Sequence, residues 1–293
     1  MNTKKIAVLG TGAMGSRLVQ NLLAAGYPVT IYNRTADKVQ PLLDRGAIYA
    51  VTPREAADRA DIIISMVRDN DASRQVWLDP ESGAILGLGK EAIAIESSTL
   101  TVEWSIELAA AIERHGSAFL DAPVVGSRPQ AEAGKLIYLV GGNAEVLTTA
   151  EPVLLAAGGA IVHHLGSIGS GMAMKLAVNA LFGVQVAALA EILGLLDKQG
   201  ISSDRAMASL GELPVISPAA KVAGSLMVTN NHAPLFPIDL VEKDFRYVLQ
   251  TAQAADASMP LSTAIHNIFQ AAIDLGFGNN NITGVVRLYI PTI

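Results

Sequence analysis

The chain has 293 residues, of which 51% are hydrophobic and 16% charged, and its formal net charge is −6 at pH 7. This length suits two domains or one large α/β unit, and the negative charge argues against a nucleic-acid partner. The absence of cysteine excludes disulfides, a thiol nucleophile and thiolate metal sites.

The N-terminus places two lysines before a short apolar run, IAVL at residues 6–9. Four residues are too few for the apolar core of a signal peptide. No apolar stretch in the sequence reaches the length that a membrane span needs. We therefore expect a cytoplasmic protein without a membrane partner.

Apolar runs of strand length alternate with helical patterns along the first 166 residues. The runs are residues 5–9, 28–34, 60–67, 91–98, 117–124, 135–142 and 159–166, the last two as edge or late strands. Between the second and third runs, Thr35 is expected to cap a short helix that stops at Gly46. Such alternation predicts an α/β fold with a doubly wound parallel sheet, a Rossmann domain.

After Gly169 the pattern becomes helical. Residues 170–200 hold one long helical pattern that ends at Gly200, and prolines punctuate the helical remainder. The sequence therefore predicts a Rossmann domain over 1–165, joined by this long helix to an all-α domain over 166–293. The second half is rich in Ala and Leu, so we expect it to assemble a homodimer or homotetramer.

A glycine-rich stretch, GTGAMG, directly follows the first strand and opens a helix. In that context Gly10 permits a tight turn, Gly12 lets the backbone approach a pyrophosphate, and Gly15 lets the helix pack against the strand. The phosphates would lie on free N–H groups at the positive end of the helix dipole. The motif predicts a dinucleotide site, the alternative being an ordinary glycine-rich turn. Its expected cofactor contacts are Gly10, Thr11, Gly12, Ala13, Met14 and Gly15.

The second strand ends in Asn33, Arg34 and Thr35, where an NAD site usually carries Asp or Glu for the ribose 2′-hydroxyl. A carboxylate would repel a 2′-phosphate, whereas Arg34 can form charge-assisted hydrogen bonds to it. The alternative is a surface arginine at a strand end. The sequence favours NADP(H) as the cofactor, with NAD(H) possible.

A single lysine, Lys175, stands in the small-residue, apolar run GSGMAMKLAVN at residues 169–179. Lysine is rarely buried without a partner, so this is either a snorkelling surface residue or a functional one. Asn179 follows at i+4 and lies on the same helix face.

With these residues in place, the whole chain resembles the β-hydroxyacid dehydrogenase family. Within the family, its stretch GSRPQAEAG is most similar to the glyoxylate/succinic semialdehyde reductase branch. The matching stretches are GTGAMG, YNRT, ESSTL, DAPVVGSRPQAEAGKL, GSGMAMKLAVN and EKDF. The resemblance implies that Lys175 is catalytic and that Asn179 assists it. An ammonium group suits this role, because hydride transfer to a carbonyl builds negative charge on oxygen that the ammonium can stabilise and protonate.

The resemblance also implies the other site residues. Thr99 follows a predicted strand, where ligands of open α/β sheets gather, and would contact both nicotinamide and substrate. Lys243 would contact the cofactor, while Phe236 and Asp244 would contact the substrate. Without the resemblance, Lys243 and Asp244 would be interpreted as part of a charged helix start, and Phe236 as a core aromatic. The loop of Met66, Val67 and Arg68 would touch the cofactor.

Two positions depart from the family pattern. Val125 stands where many relatives have serine, in a loop whose Gly126 and Ser127 would offer backbone N–H groups and a hydroxyl to a substrate carboxylate. The loss of a donor favours a more apolar substrate or a contact taken over by Ser127. Arg68 stands where relatives often carry proline, and either contacts a cofactor phosphate or adenine or points to water.

The leading hypothesis is an NADP(H)-dependent reductase of small aldehydes or oxo acids that also works on the matching hydroxy acids. Imine reductases resemble this family but usually carry aspartate or tyrosine in place of Lys175, and Val125 keeps that alternative open. A third possibility is an NADP-binding module without catalysis. No metal-ligand spacing occurs, and the adjacent His163 and His164 on one strand would face opposite sides.

Overall fold

A nine-stranded sheet forms the N-terminal part of the structure, a computed structural model that describes residues 4–290. The strands are β1 Ile6–Leu9, β2 Val29–Tyr32, β3 Ile48–Tyr49, β4 Ile62–Ser65, β5 Ile93–Glu96, β6 Ala118–Asp121, β7 Val124–Val125, β8 Leu136–Gly142 and β9 Gly159–Gly166. Their order is β3-β2-β1-β4-β5-β6-β8-β7, and β9 pairs with β8. The first six strands are parallel, so their carboxyl ends lie along one edge.

The predicted Rossmann sheet is confirmed, and each of the seven predicted runs contains a strand. β3 and β7 were not predicted, because they have two residues each and are too short to show a periodic pattern. The antiparallel direction of β8 relative to β6 and β7 was not predicted either. The connection from β6 to β8 contains β7 and a five-residue helix, and the chain reverses through them so that β7 itself pairs antiparallel with β8.

Helices cover both faces of the sheet. They are α1 Gly15–Ala24, α2 Gln40–Leu43, α3 Pro53–Ala57, α4 Asn70–Leu78, α5 Val102–His115, α6 Arg128–Glu132 and α7 Ala144–Ala156. Alternate residues of β1 face opposite cores: Ile6 and Val8 belong to one buried cluster, and Ala7 and Leu9 belong to the other. Burial on both faces explains why these strands read as continuous apolar runs.

The predicted helix after Thr35 is wrong in its extent and its cap. The segment forms a 3₁₀ turn at Ala36–Lys38 and then the one-turn helix α2, and the side chain of Thr35 forms no capping hydrogen bond. Pro41 occupies the first turn of α2 and has no N–H to donate to a preceding turn. The proline therefore divides what the sequence pattern presents as one helix.

The second part of the chain is helical. The helices are α8 Ser170–Lys198, α9 Ser203–Leu210, α10 Pro218–Val228, α11 Ile238–Ala254, α12 Pro260–Asp274 and a 3₁₀ segment Ile282–Leu288. Residue contacts divide the chain into two compact units, Met1–Lys175 and Leu176–Ile293. The division falls inside α8. Within the second unit α8 packs closely, because a Cβ at Gly183 would lie 2.4 Å from the ring of Phe245.

By length and composition α8 is also a helix that could cross a membrane. The expectation that no stretch is long enough was therefore wrong on this count, because small and polar residues interrupt the apolar runs while the average over the helix stays apolar. The core helix of a globular protein meets the same criterion. The close contact at Gly183, and another between Gly194 and Tyr289, show α8 packed against its own unit.

Candidate active site

The turn between β1 and α1 uses its three glycines differently. Gly10 has a φ of +94°, and a Cβ there would lie 2.5 Å from the carbonyl oxygen of Met66. A Cβ at Gly15 would lie 2.0 Å from the carbonyl oxygen of Gly10, whereas a Cβ at Gly12 would meet nothing within 4 Å. Gly10 and Gly15 thus close the turn, and the backbone at Gly12 faces open space. No side chain caps α1 at Met14.

The end of β2 is tied to this turn by one amide side chain. The Thr11 N–H donates to Oδ1 of Asn33 at 3.1 Å, and Nδ2 of Asn33 donates to the carbonyl oxygen of Thr35 at 2.8 Å. Arg34 lies exposed between these contacts. Burial raises the pKa of the Tyr32 phenol, and the positive charge of Arg34 opposes that effect. The structure therefore brings the predicted cofactor residues after β1 and β2 together.

The loops after β4 and β5 meet beside the glycine turn. The Met66 N–H donates to the carbonyl oxygen of Leu9 at 2.9 Å, and the Val67 N–H donates to Oγ of Ser98 at 2.8 Å. Thr99, the predicted nicotinamide contact, follows Ser98 directly. The next residue of the first loop, Arg68, is exposed. The predicted residues of these two loops thus share one edge of the sheet with the glycine turn.

Two buried carboxylates that the sequence analysis above did not predict as site residues lie at the same edge. Glu96 ends β5 and Asp121 ends β6, and both are fully buried. The signal that could have found them is an acidic residue closing an apolar strand, because an acid rarely occupies such a position without partners.

Asp121 holds the beginning of α8. Its Oδ1 accepts from the Gly169 N–H at 2.8 Å, and its Oδ2 accepts from the Met172 N–H at 2.7 Å. A carboxylate at this position stabilises a helix N-terminus, because it satisfies unpaired N–H groups and faces the positive end of the dipole. Burial raises the pKa of Asp121 to about 6, and the backbone donors partly offset the shift. Met172 lies one turn before Lys175.

Lys175 and Asn179 are both buried, with 9% and 8% of their surfaces exposed. The burial of Lys175 argues against the alternative of an ordinary surface lysine. The two residues are four apart in the continuous helix α8, so they lie on the same helix face.

The loop predicted to bind a substrate carboxylate is organised by its own contacts. Val125 pairs with Ile137 of β8, and Gly126 has a φ of +123°, a conformation that suits glycine. The Ser127 N–H donates to Oε1 of Gln130 at 3.0 Å at the start of α6. This contact corrects one expectation, since the N–H of Ser127 is engaged within the loop rather than offered to a substrate.

In the second unit, three of the predicted residues form a buried cluster. Nδ2 of Asn179 donates to Oδ2 of Asp244 at 2.6 Å, and Nζ of Lys243 lies 3.1 Å from Oδ1 of the same carboxylate. Phe236 is tied instead to Asn281, whose Oδ1 accepts from the Phe236 N–H at 3.0 Å. The cluster therefore joins the predicted catalytic amide to the predicted cofactor and substrate contacts of α11.

Two family models match the chain. The first, described as the NAD binding domain of 6-phosphogluconate dehydrogenase, matches residues 5–169. The second, described as NAD-binding of NADP-dependent 3-hydroxyisobutyrate dehydrogenase, matches residues 169–289. Together they span almost the whole chain.

Relatives of known name match over similar lengths. Glyoxylate/succinic semialdehyde reductase 2 of Arabidopsis thaliana is 32% identical over 98% of this chain and 80% of its own length. An NAD-dependent L-serine dehydrogenase of Pseudomonas aeruginosa is 29% identical over 99% of each chain. The solved structure of Mycobacterium tuberculosis 3-hydroxyisobutyrate dehydrogenase with L-serine superposes with a TM-score of 0.89 at 26% identity, covering 98% of this chain and 99% of that one.

Proposed function

Because this chain belongs to the β-hydroxyacid dehydrogenase family and is an NAD(P)-dependent oxidoreductase, we propose that it reduces a small aldehyde or oxo acid with NADPH and, in reverse, oxidises the matching hydroxy acid. The observation that carries the proposal is the buried ammonium-bearing residue Lys175, in the same compact unit as the glycine turn. In the proposed reaction Lys175 would have a chemical task that justifies its burial, because burying a charged group otherwise costs stability.

The residues of the glycine turn fit a dinucleotide. The open space in front of Gly12 leaves room for a pyrophosphate, and the start of α1 is not occupied by a capping side chain. Backbone N–H groups at this helix terminus would hold the phosphates. When bound, the nicotinamide supplies the hydride in the direction of reduction.

Arg34 supports NADP(H) as the preferred cofactor. Arg34 is exposed, and its neighbour Asn33 bonds both to Thr11 of the glycine turn and to Thr35. A guanidinium can bind a 2′-phosphate with paired hydrogen bonds, and no carboxylate in Asn33, Arg34 or Thr35 would repel that phosphate. NAD(H) is the alternative cofactor.

In the proposed mechanism Lys175 donates a proton to the substrate oxygen as that oxygen gains negative charge. Asn179, on the same face of α8, orients the substrate oxygen or the lysine. Thr99 and the loop of Val125, Gly126 and Ser127 hold the substrate. The roles of Lys243, Phe236 and Asp244 in cofactor and substrate binding remain proposals of the same kind.

The experiment is the variant Lys175→Ala, assayed with NADPH against glyoxylate, succinic semialdehyde and a cyclic imine. We expect turnover to fall by about 100-fold or more, the usual loss for a general acid, with NADPH affinity kept. Lys198→Ala, at the other end of α8, is the matched control and should behave as wild type. Full activity of Lys175→Ala would reject the mechanism. For the wild-type protein, turnover of the imine alone would favour an imine reductase. NADPH binding by the wild type without turnover of any of the three substrates would favour a binding module without catalysis.

We also propose that the chain forms a homodimer or homotetramer through its second unit. Leu181, Ile192 and Leu195 of α8 are each exposed by 40% or more, and their spacing places them on one face of the helix. Exposed apolar residues that gather on one helix face commonly mark a protein interface. Size-exclusion chromatography with light scattering measures the mass directly, and a strict monomer would contradict the proposal.

A further inference from the structure

We propose that Glu96 is a positioning residue for the dinucleotide site: its carboxylate holds the loops after β4 and β5 against the glycine turn. The inference rests on the proposed function in taking that turn as the place of the cofactor. Glu96 makes no contact with a reacting atom in this proposal, and its effect reaches the cofactor through Ser98 and Val67.

The carboxylate of Glu96 has partners on two sides. From α4, Oγ of Ser73 donates to Oε2 at 2.7 Å and Nε1 of Trp77 donates to the same oxygen at 2.9 Å. From the loop after β5, the Ser98 N–H donates to Oε1 at 3.0 Å. One fully buried side chain therefore links a helix to the loop that continues into Thr99.

The direction of each hydrogen bond requires an acceptor at this position. Nε1 of Trp104 donates to Oγ of Ser73 at 2.9 Å, so the hydroxyl hydrogen of Ser73 is available for Glu96. The Val67 N–H donates to Oγ of Ser98 in the same way, and the Ser98 hydroxyl in turn bonds to Glu96. An ionised carboxylate only accepts, whereas a glutamine would present an NH₂ group to at least one of these donors.

Two hydrogen bonds connect Glu96 to Val67, and the side chain of Val67 lies close to Gly10 of the glycine turn. Glu96 binds Ser98, Ser98 binds the Val67 N–H, and Cγ1 of Val67 would lie 3.0 Å from a Cβ at Gly10. The side chain of Val67 therefore borders Gly10, and the hydrogen bond to Ser98 holds Val67 in that position. A shift of Val67 would therefore disturb the glycine turn, where we propose that the phosphates bind.

Stability alone is a weak reason for an acid at this position. Burial raises the pKa of Glu96, which means that the core disfavours its charged form, while the hydrogen bonds from Ser98, Ser73 and Trp77 counteract this effect. Well-packed apolar groups often match or exceed buried ionic groups in stability. What the carboxylate adds is a fixed geometry for the two loops.

The two serines bonded to Glu96, Ser98 of the loop after β5 and Ser73 of α4, provide a matched pair of variants. Ser98→Ala and Ser73→Ala each remove one hydroxyl from the same carboxylate, but only Ser98 contacts Val67. We expect Ser98→Ala and Glu96→Gln to raise the Kd for NADPH by about 10-fold, on the scale of one lost hydrogen bond to a charged group. Ser73→Ala should bind NADPH with a Kd within about 2-fold of that of wild type, since Ser73 bonds to Glu96 and Trp104 and not to Val67. Ser98→Thr keeps the hydroxyl and should restore affinity.

Affinity is measured by fluorescence titration of the full chain with NADPH and with NADH, and the Tm of each variant is recorded alongside. If Glu96→Gln does not fold, the serine pair decides. Equal Kd values for Ser98→Ala and Ser73→Ala, in a wild type that binds NADPH, would overturn this inference alone. A wild type that binds neither dinucleotide would overturn the proposed function and this inference with it.

Discussion

The carboxylate of Asp244 accepts a hydrogen bond from the amide of Asn179 at 2.6 Å and forms an ion pair with Lys243 at 3.1 Å. All three side chains are buried. Because a carboxylate can only accept, it fixes the orientation of the Asn179 amide, with the NH₂ group towards Asp244. Asp244 thus supports the predicted catalytic amide and neutralises the neighbouring ammonium.

Substitution of Asp244 by asparagine should be costly, since it removes the carboxylate of a buried ion pair with Lys243. We expect Asp244→Asn to lower the free energy of unfolding by about 3 kcal/mol, the usual cost of breaking a buried ion pair from one side. Urea unfolding measures this loss. The exposed Asp197→Asn serves as the control and should unfold as wild type does. An unchanged free energy of unfolding in Asp244→Asn would show that the pair contributes nothing.

Arg34→Asp should distinguish the two cofactors. Loss of a charge-assisted hydrogen bond, together with repulsion of the 2′-phosphate, is expected to weaken NADPH binding by about 100-fold. NADH has no such phosphate, so its Kd should change little. Fluorescence titration with each dinucleotide measures both effects, and Arg45→Asp, an exposed arginine of the same segment, is the control. Equal losses for the two cofactors would remove the assignment of Arg34 to the 2′-phosphate.

The titration of Asp121 predicts a pH dependence of stability. Burial raises its pKa from 3.8 to about 6, so between these values the native state holds a proton that the unfolded chain has released. Asp121 therefore makes the free energy of unfolding fall as pH rises from about 4 to about 6, by about 3 kcal/mol in total, and the contribution is constant above that window. Urea unfolding of wild type and Asp121→Asn across this range tests the sign. Parallel pH profiles for the two proteins would refute it.

The glycine turn yields a pair of contrasting variants. Gly15→Ala places a methyl group 2.0 Å from a carbonyl oxygen, so we expect it to lower the free energy of unfolding by about 2 kcal/mol. Gly12→Ala meets open space and should keep the wild-type Tm. Its methyl group would stand where the pyrophosphate approaches, so the Kd for NADPH should rise by about 10-fold or more. Unchanged affinity in Gly12→Ala would show that the phosphates do not bind at this turn.

The parts of the fold that the sequence predicted are those with local causes. The spacing of Gly10, Gly12 and Gly15 between a strand and a helix predicted the turn, and continuous apolar runs predicted the buried strands. Glu96 and Asp121 could not be interpreted in this way, because Ser73 lies 23 residues before Glu96 and Met172 lies 51 residues after Asp121 in the chain. The cytoplasmic location and the individual roles of the site residues stay predictions.

The path of α8 limits how the protein can be divided in the laboratory. A cut at the boundary between the two compact units would fall between Lys175 and Leu176, within a helix of 29 residues. Only the stub Ser170–Lys175 would remain on the first fragment, and isolated helices shorter than about 12 residues are marginal in water. The side chain of Lys175 would then be carried by the last residue of a frayed helix end. Truncations and chimaeras of this protein should therefore transfer the helix whole.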